Sequence, residues 1–155
     1  MSFCIGSERM NPYFAYGSNM LRAQMRDRCP DHRFIGCGVL KGYRWIISAR
    51  GYANIIRSPL DAVHGVVYEI SGPDERKLDQ YEGVSGGSYQ KQRLSVEIDG
   101  LPITCLVYVD PTKDEGLPSN EYIDRINRGI ADAGLPSKYV ENCIRPLCPV
   151  KLDMK

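Results

Sequence analysis

The sequence predicts an α+β fold, a small mixed β-barrel with flanking short helices. Strand-like runs rich in Val, Ile, Tyr and Thr fill the middle of the chain, and such residues suit a pleated, half-buried surface. Apolar residues at helical spacing are concentrated late, at Tyr122, Ile123, Ile126 and Ile130. The 155 residues carry no repeat, low-complexity tract or linker, so one domain is expected. Strands in the middle with helices gathered toward the end suit an α+β layout on a mixed, barrel-like sheet.

Residues 1–9, "MSFCIGSER", lack the long apolar core of a signal peptide. They are read as a flexible extension ahead of a single domain over 10–155. Strands are expected at 12–16, 34–48, 52–57, 63–70, 89–98 and 101–109. "SPLDA" (58–62) is read as a turn between two of them, and "DGLP" (99–102) as a hairpin, since Asp-Gly favours tight reversals. Helices are expected at 19–28, 73–81, 120–133 and 137–144. The second has Pro73 at its first position and Asp74 and Glu75 where the helix dipole favours acids. The third stops at Gly134, with Pro136 beyond it.

Charge and composition narrow the function classes. Twenty basic and 19 acidic residues leave a net charge of +1, too little for a strong nucleic-acid field. "RAQMRDR" (22–28) contains Asp27 and reads as a solvated helix face. The longest apolar runs are a few residues, such as Trp45-Ile46-Ile47, so no membrane span is expected. Six cysteines (4, 29, 37, 105, 143 and 148) form no CxxC. With no export signal they are expected to be reduced, in a cytoplasmic protein. His32 and His64 lie far apart without a ligand-spaced partner, so no metal is expected. "GVSGGS" (83–88) lacks the Lys-Ser/Thr of a phosphate-binding loop and suits a mobile pocket rim.

Two stretches carry candidate chemistry. In "YFAYGSNM" (13–20) a strand breaks at Gly17, Ser18 and Asn19 into a helix start. Glycine lets the backbone approach a ligand, Ser18 or Asn19 can cap the helix, and the first helical amides can hold a carboxylate. An ordinary strand-to-helix turn explains the same tetrapeptide. In "LDQYEGV" (78–84) Glu82 closes a helix ahead of a glycine-rich loop. The helix dipole there disfavours an anion, and with partial burial its pKa would rise, as a proton shuttle requires. A solvated helix-end glutamate is the plain alternative.

Together, "YFAYGSN", "LDQYEGV" followed by Tyr89, and "GLPSKY" resemble the γ-glutamylcyclotransferase family. "NIIRSPLDAVHGVVYEI" resembles its paired central strands, and "PSNEYIDRINRGIADAGLPSKY" its late helix and following loop. The likeness runs from about residue 13 to 149. It implies a barrel fold and cyclisation of a γ-glutamyl amide to 5-oxoproline with release of the amine or amino acid. Glu82 takes the position of the catalytic glutamate. Tyr13, Phe14, Ala15, Tyr16, Gly17, Ser18 and Asn19 match the substrate-binding segment. Tyr89 and Tyr122 match active-site tyrosines, with packing roles as their alternatives. Glutathione-directed relatives usually carry another residue at Asn19, which points to γ-glutamyl amino acids or amines. The implied partner is a small γ-glutamyl molecule, with no nucleic acid, membrane, cofactor or metal. The oligomeric state stays open, a homodimer included. A γ-glutamylamine or γ-glutamyl-lysine cyclotransferase, a biosynthetic deprotecting enzyme, and a catalytically silent carboxylate-binding module are the competing readings.

Overall fold

The computed structural model describes residues 9–150. Five strands, β1 (Asn11–Ala15), β2 (Arg33–Ile47), β3 (Ala53–Ile70), β4 (Gln90–Ile98) and β5 (Leu101–Val109), close a barrel in the order β1-β3-β2-β4-β5. Closure is mixed: β1 meets β5 in parallel, and the other neighbours pair antiparallel. Four helices flank it: α1 (Arg22–Arg28), α2 (Gly72–Tyr81), α3 (Asn120–Ala133) and the short α4 (Ser137–Tyr139), which continues into a π-helical turn, Val140–Ile144. The expected fold class is the one observed.

Phe14, Trp45, Ile47, Ile55, Val67, Tyr68, Leu106 and Ile126 are all buried in one core. The buried Trp45 indole donates to the Tyr16 carbonyl at 2.8 Å, which ties β2 to the end of β1. The Asp99-Gly100 reversal between β4 and β5 has positive φ at both residues, 51° and 80°, the conformation that a two-residue hairpin demands.

Three local expectations are corrected. "SPLDA" does not end a strand: β3 runs through it as one 18-residue strand. The two halves on either side of that stretch pair with β2 and not with each other, and the register jumps from Lys41↔Ala62 to Tyr43↔Arg57. Ser58–Asp61 therefore bulge outward opposite Gly42, with Leu60 99% exposed. Proline lacks the N–H that a ladder needs, so Pro59 suits the bulge as well as it would suit a turn. The first helix is also divided. A single 3₁₀ turn, Ser18–Met20, precedes extended Leu21 (φ −74°, ψ 113°), and α1 begins at Arg22. Neither segment has a side-chain cap, so Ser18 and Asn19 do not serve as caps. Lastly, the helix expected over 137–144 is only one turn of α-helix before the π-helical turn.

α3 positions the site. Ser119 caps it, its hydroxyl accepting from the Tyr122 amide at 3.2 Å, and Gly134 ends it at φ 65°. A Cβ at Gly129 would lie 3.1 Å from the Leu21 nitrogen and 3.2 Å from the Met20 Cβ. The glycine lets α3 pack directly on the 3₁₀ turn. Cys29, Cys37, Cys105, Cys143 and Cys148 are unpaired; Cys4 and most of the expected N-terminal extension lie outside the described residues. No described helix is long and apolar enough to cross a membrane.

Candidate active site

The end of β1, the 3₁₀ turn, the end of α2, the loop before β4 and the first turn of α3 converge on one cavity of ≈ 340 Å³. Tyr13, Phe14, Tyr16, Gly17, Ser18, Asn19, Glu82, Tyr89 and Tyr122 all line it. Ala15 is the exception: it is buried but is not part of the wall. Gly83 and Ser88, at the ends of the glycine-rich loop, form part of the rim.

Gly17 is required by proximity. A Cβ there would stand 3.0 Å from the Ala53 Cβ and 3.1 Å from the Tyr122 hydroxyl. The main-chain N–H groups of Gly17, Ser18 and Asn19 make no main-chain hydrogen bond among the described residues. They border the cavity; the Ser18 amide is turned to the Tyr122 oxygen, and those of Gly17 and Asn19 have no acceptor among the described residues. Asn19, 4% exposed, donates to the Tyr13 hydroxyl at 2.9 Å. Its Oδ1 accepts from Gln24 at 2.7 Å and from Arg28 at 3.1 Å. Gln24 also donates to the Ser18 hydroxyl at 2.8 Å and accepts from Arg125 at 3.2 Å. The tetrapeptide is thus braced by α1 and α3 together.

Glu82 follows α2 directly, with helical φ −84° and ψ −5°, and its amide bonds the Leu78 carbonyl at 2.8 Å. Burial pushes its carboxyl up to about 7, against the opposing pull of the Arg28 and Arg50 guanidiniums. Desolvation, more than the helix-dipole mismatch argued from sequence, is the main cause of that shift. The side chain makes no hydrogen bond or ion pair among the described residues, so its oxygens are left for a ligand.

The tyrosines divide by what their hydroxyls do. Tyr16 donates to the Tyr108 carbonyl at 2.5 Å, Tyr89 to the Ala53 carbonyl at 3.0 Å, and Tyr108 to Asp79 at 2.7 Å. Tyr13 and Tyr122 instead accept, from Asn19 and from the Ala53 amide. Their protons have no acceptor among the described residues. Burial raises the pKa of both, Tyr122 to about 12 and Tyr13 well above its ordinary value, with the Glu82 charge reinforcing the rise. Both stay protonated at neutral pH and can donate into the cavity. Neither Tyr89 nor Tyr122 bonds Glu82.

Three arginines on the wall, Arg28, Arg50 and Arg125, were not anticipated as site residues. Arg28 belongs to the run read as a solvated face. It instead bonds Asn19 and lies 4.4 Å over the Tyr81 ring. No spacing marks it, because extended Leu21 interrupts the helical register between Asn19 and α1. Arg50 stands in the β2–β3 connection, and nothing in "SARGY" marks it. Among the described residues no group of three or more His, Cys, Asp or Glu could hold a metal.

The model of the AIG2-like family matches residues 62–143, just over half of the chain. γ-Glutamylcyclotransferase of Homo sapiens is 32% identical over 140 residues, 83% of this chain and 74% of that protein. The Mus musculus protein of the same name is 34% identical over the same shares. A solved γ-glutamyl cyclotransferase structure superposes with a TM-score of 0.82 at 28% identity, covering 95% of this chain and 91% of that one.

Proposed function

This chain belongs to the AIG2-like, γ-glutamylcyclotransferase family, and from that premise we propose that it converts a γ-glutamyl amino acid to 5-oxoproline and the free amino acid. One observation carries the reading. A glutamate whose carboxyl is pushed up to about 7 by burial shares a cavity with the amides of Gly17, Ser18 and Asn19, none of which makes a main-chain hydrogen bond among the described residues.

The substrate holds its own nucleophile, the α-amine, and its own electrophile, the γ-carbonyl. Ring closure therefore needs conformation and proton transfer but no nucleophile from the protein. The amides of the tetrapeptide grip the α-carboxylate, which fixes one end of the glutamyl chain. Holding nitrogen against carbon in this way can supply roughly 7–11 kcal/mol of the barrier. Glu82, as carboxylate, takes a proton from the α-amino group as nitrogen attacks the γ-carbon. The Tyr13 and Tyr122 hydroxyls, which line the cavity with their protons uncommitted among the described residues, receive the developing charge on the carbonyl oxygen. Collapse breaks the bond to the leaving nitrogen, and protonated Glu82 returns its proton there. One carboxyl serves both steps because a pKa near the working pH makes it a competent base and then a competent acid.

The test is direct. Purified protein is incubated with a panel of γ-glutamyl dipeptides, and 5-oxoproline is followed by mass spectrometry. Stoichiometric 5-oxoproline and free amino acid are expected. Hydrolysis to glutamate, or no product across the panel, overturns the proposal.

A further inference from the structure

We infer that Arg50 is the specificity-determining residue for the leaving group: its guanidinium receives a carboxylate on the released amine, so the enzyme selects γ-glutamyl amino acids over γ-glutamyl amines. This rests on the cyclotransferase reading and assigns the half of the cavity that the tetrapeptide does not occupy.

The cationic groups on the wall are held to different elements. Arg28 bonds Asn19, and Arg125 bonds Gln24, which in turn bonds Ser18 and Asn19. Both therefore belong to the tetrapeptide that grips the glutamyl carboxylate. Arg50 has no contact with that network. It is held to the rim, donating to the Ser88 carbonyl at 3.1 Å and lying 5.1 Å over the Tyr89 ring. Glu82 feels both Arg28 and Arg50, which places the proton shuttle under the influence of one guanidinium from each group. A glutamyl chain anchored at the tetrapeptide, with its γ-carbonyl at Glu82, sends its leaving group toward Arg50.

Arg50 is also built as a receptor. Asp110, whose side chain is 3% exposed, accepts from Arg50 Nε at 3.3 Å and Nη2 at 3.1 Å. Asp110 is fixed in turn: its Oδ1 accepts from the Thr112 amide at 2.9 Å, and its main chain exchanges bonds with the buried Asn54 at 2.9 and 3.1 Å. This network occupies the Nε/Nη2 edge of the fork and leaves Nη1 without a partner among the described residues. A guanidinium held on one edge keeps its remaining donors in a fixed direction for a second oxyanion, with little side-chain entropy left to lose. An arginine without such a partner would lack that orientation, and Arg50 keeps it at the surface. Its side chain is 42% exposed, so the site remains reachable.

Wild-type protein is assayed with γ-glutamyl-alanine and with γ-glutamyl-alaninamide, which differ only in the leaving-group carboxylate. The kcat/KM ratio of acid to amide is expected at about 10- to 100-fold, the range of a charge-assisted hydrogen bond, carried mainly in KM. In Arg50→Gln the ratio falls to near one, and Arg50→Lys, which keeps the charge but loses the fork, recovers part of it. Arg50 also lowers the Glu82 pKa, but that effect is common to both peptides and cancels in the ratio. Equal kcat/KM for the two peptides in the wild type, or an unchanged ratio in Arg50→Gln, overturns the role of Arg50 and leaves the cyclotransferase reading standing. Absence of 5-oxoproline from both peptides overturns both.

Discussion

The Tyr122 hydroxyl accepts the Ala53 main-chain N–H at 3.1 Å. Tyr89 takes the other side of the same residue, donating to the Ala53 carbonyl at 3.0 Å. The two tyrosines, from α3 and the rim before β4, thereby fix the start of β3 beneath the cavity. Removal of one hydroxyl leaves a buried main-chain group without its partner.

Tyr122→Phe is accordingly expected to cost about 1–3 kcal/mol of stability by orphaning the Ala53 N–H, measured by denaturant unfolding. It is also expected to lower kcat at a temperature where both proteins are fully folded, because the spare Tyr122 proton is lost. Tyr89→Phe should affect stability but spare kcat by comparison, since the Tyr89 proton is already committed to Ala53. Equal kcat losses in the two variants would contradict the division drawn between them.

Glu82→Gln keeps the shape of the side chain and removes its proton transfer. Turnover is expected to fall by roughly 10²- to 10⁴-fold, while calorimetry shows substrate binding within a few-fold of wild type. Retained turnover would assign the proton transfer to another group.

The raised Glu82 pKa has two pH signatures. In the proposed reaction the carboxylate is the form that takes the first proton, so kcat/KM is expected to rise with pH through about 7. In folding, the sign is opposite. Unfolded glutamate titrates near its ordinary 4.5 and folded Glu82 near 7, so between those values the native state holds more protons. Stability contributed by the neutral carboxyl is complete below 4.5, declines as pH rises through about 7, and is then gone. Unfolding of wild type and Glu82→Gln at pH 4 and pH 8 checks this: the variant should gain on wild type at the higher pH, by roughly 1–2 kcal/mol given that Glu82 is partly solvated.

Much of this was legible in the sequence because it depends on local chemistry. The Asp99-Gly100 reversal, the amphipathic α3 with its Gly134 stop, and the placement of Glu82 at the end of α2 are each written in a few adjacent residues. What escaped was non-local. "SPLDA" carries the composition of a turn, and only its pairing with β2 makes it a bulge within one strand. Asn19 carries the composition of a cap, but its amide is drawn into bonds with Tyr13, Gln24 and Arg28, which no spacing announces. Arg50 is a lone arginine in a connection until Asp110, sixty residues later, fixes its fork. The alternation along β1 also hides a distinction: Phe14 reaches the cavity and its neighbour Ala15 does not.

Asn19 is the most heavily connected polar side chain of the tetrapeptide, and it is buried. Asn19→Ala removes its bonds to Tyr13, Gln24 and Arg28 together. A loss of about 2–4 kcal/mol is expected, since several buried partners go unsatisfied at once. Thermal unfolding measures that part. KM should rise alongside it, because the amides of Ser18 and Asn19 lose their bracing, whereas a purely structural role would lower Tm and leave KM alone.

Gly17→Ala probes the contact between the tetrapeptide and α3. The added methyl would stand 3.0 Å from the Ala53 Cβ and 3.1 Å from the Tyr122 hydroxyl, closer than ordinary packing allows. Overpacking of this kind typically costs 1–3 kcal/mol. If the Tyr122 hydroxyl bears much of the clash, deleting it should relieve part of the strain. The double variant Gly17→Ala/Tyr122→Phe is then expected to be more stable than the sum of the single losses predicts, by about 0.5–1 kcal/mol. Strict additivity would place the whole clash on Ala53 and leave the Tyr122 hydroxyl out of the contact at Gly17.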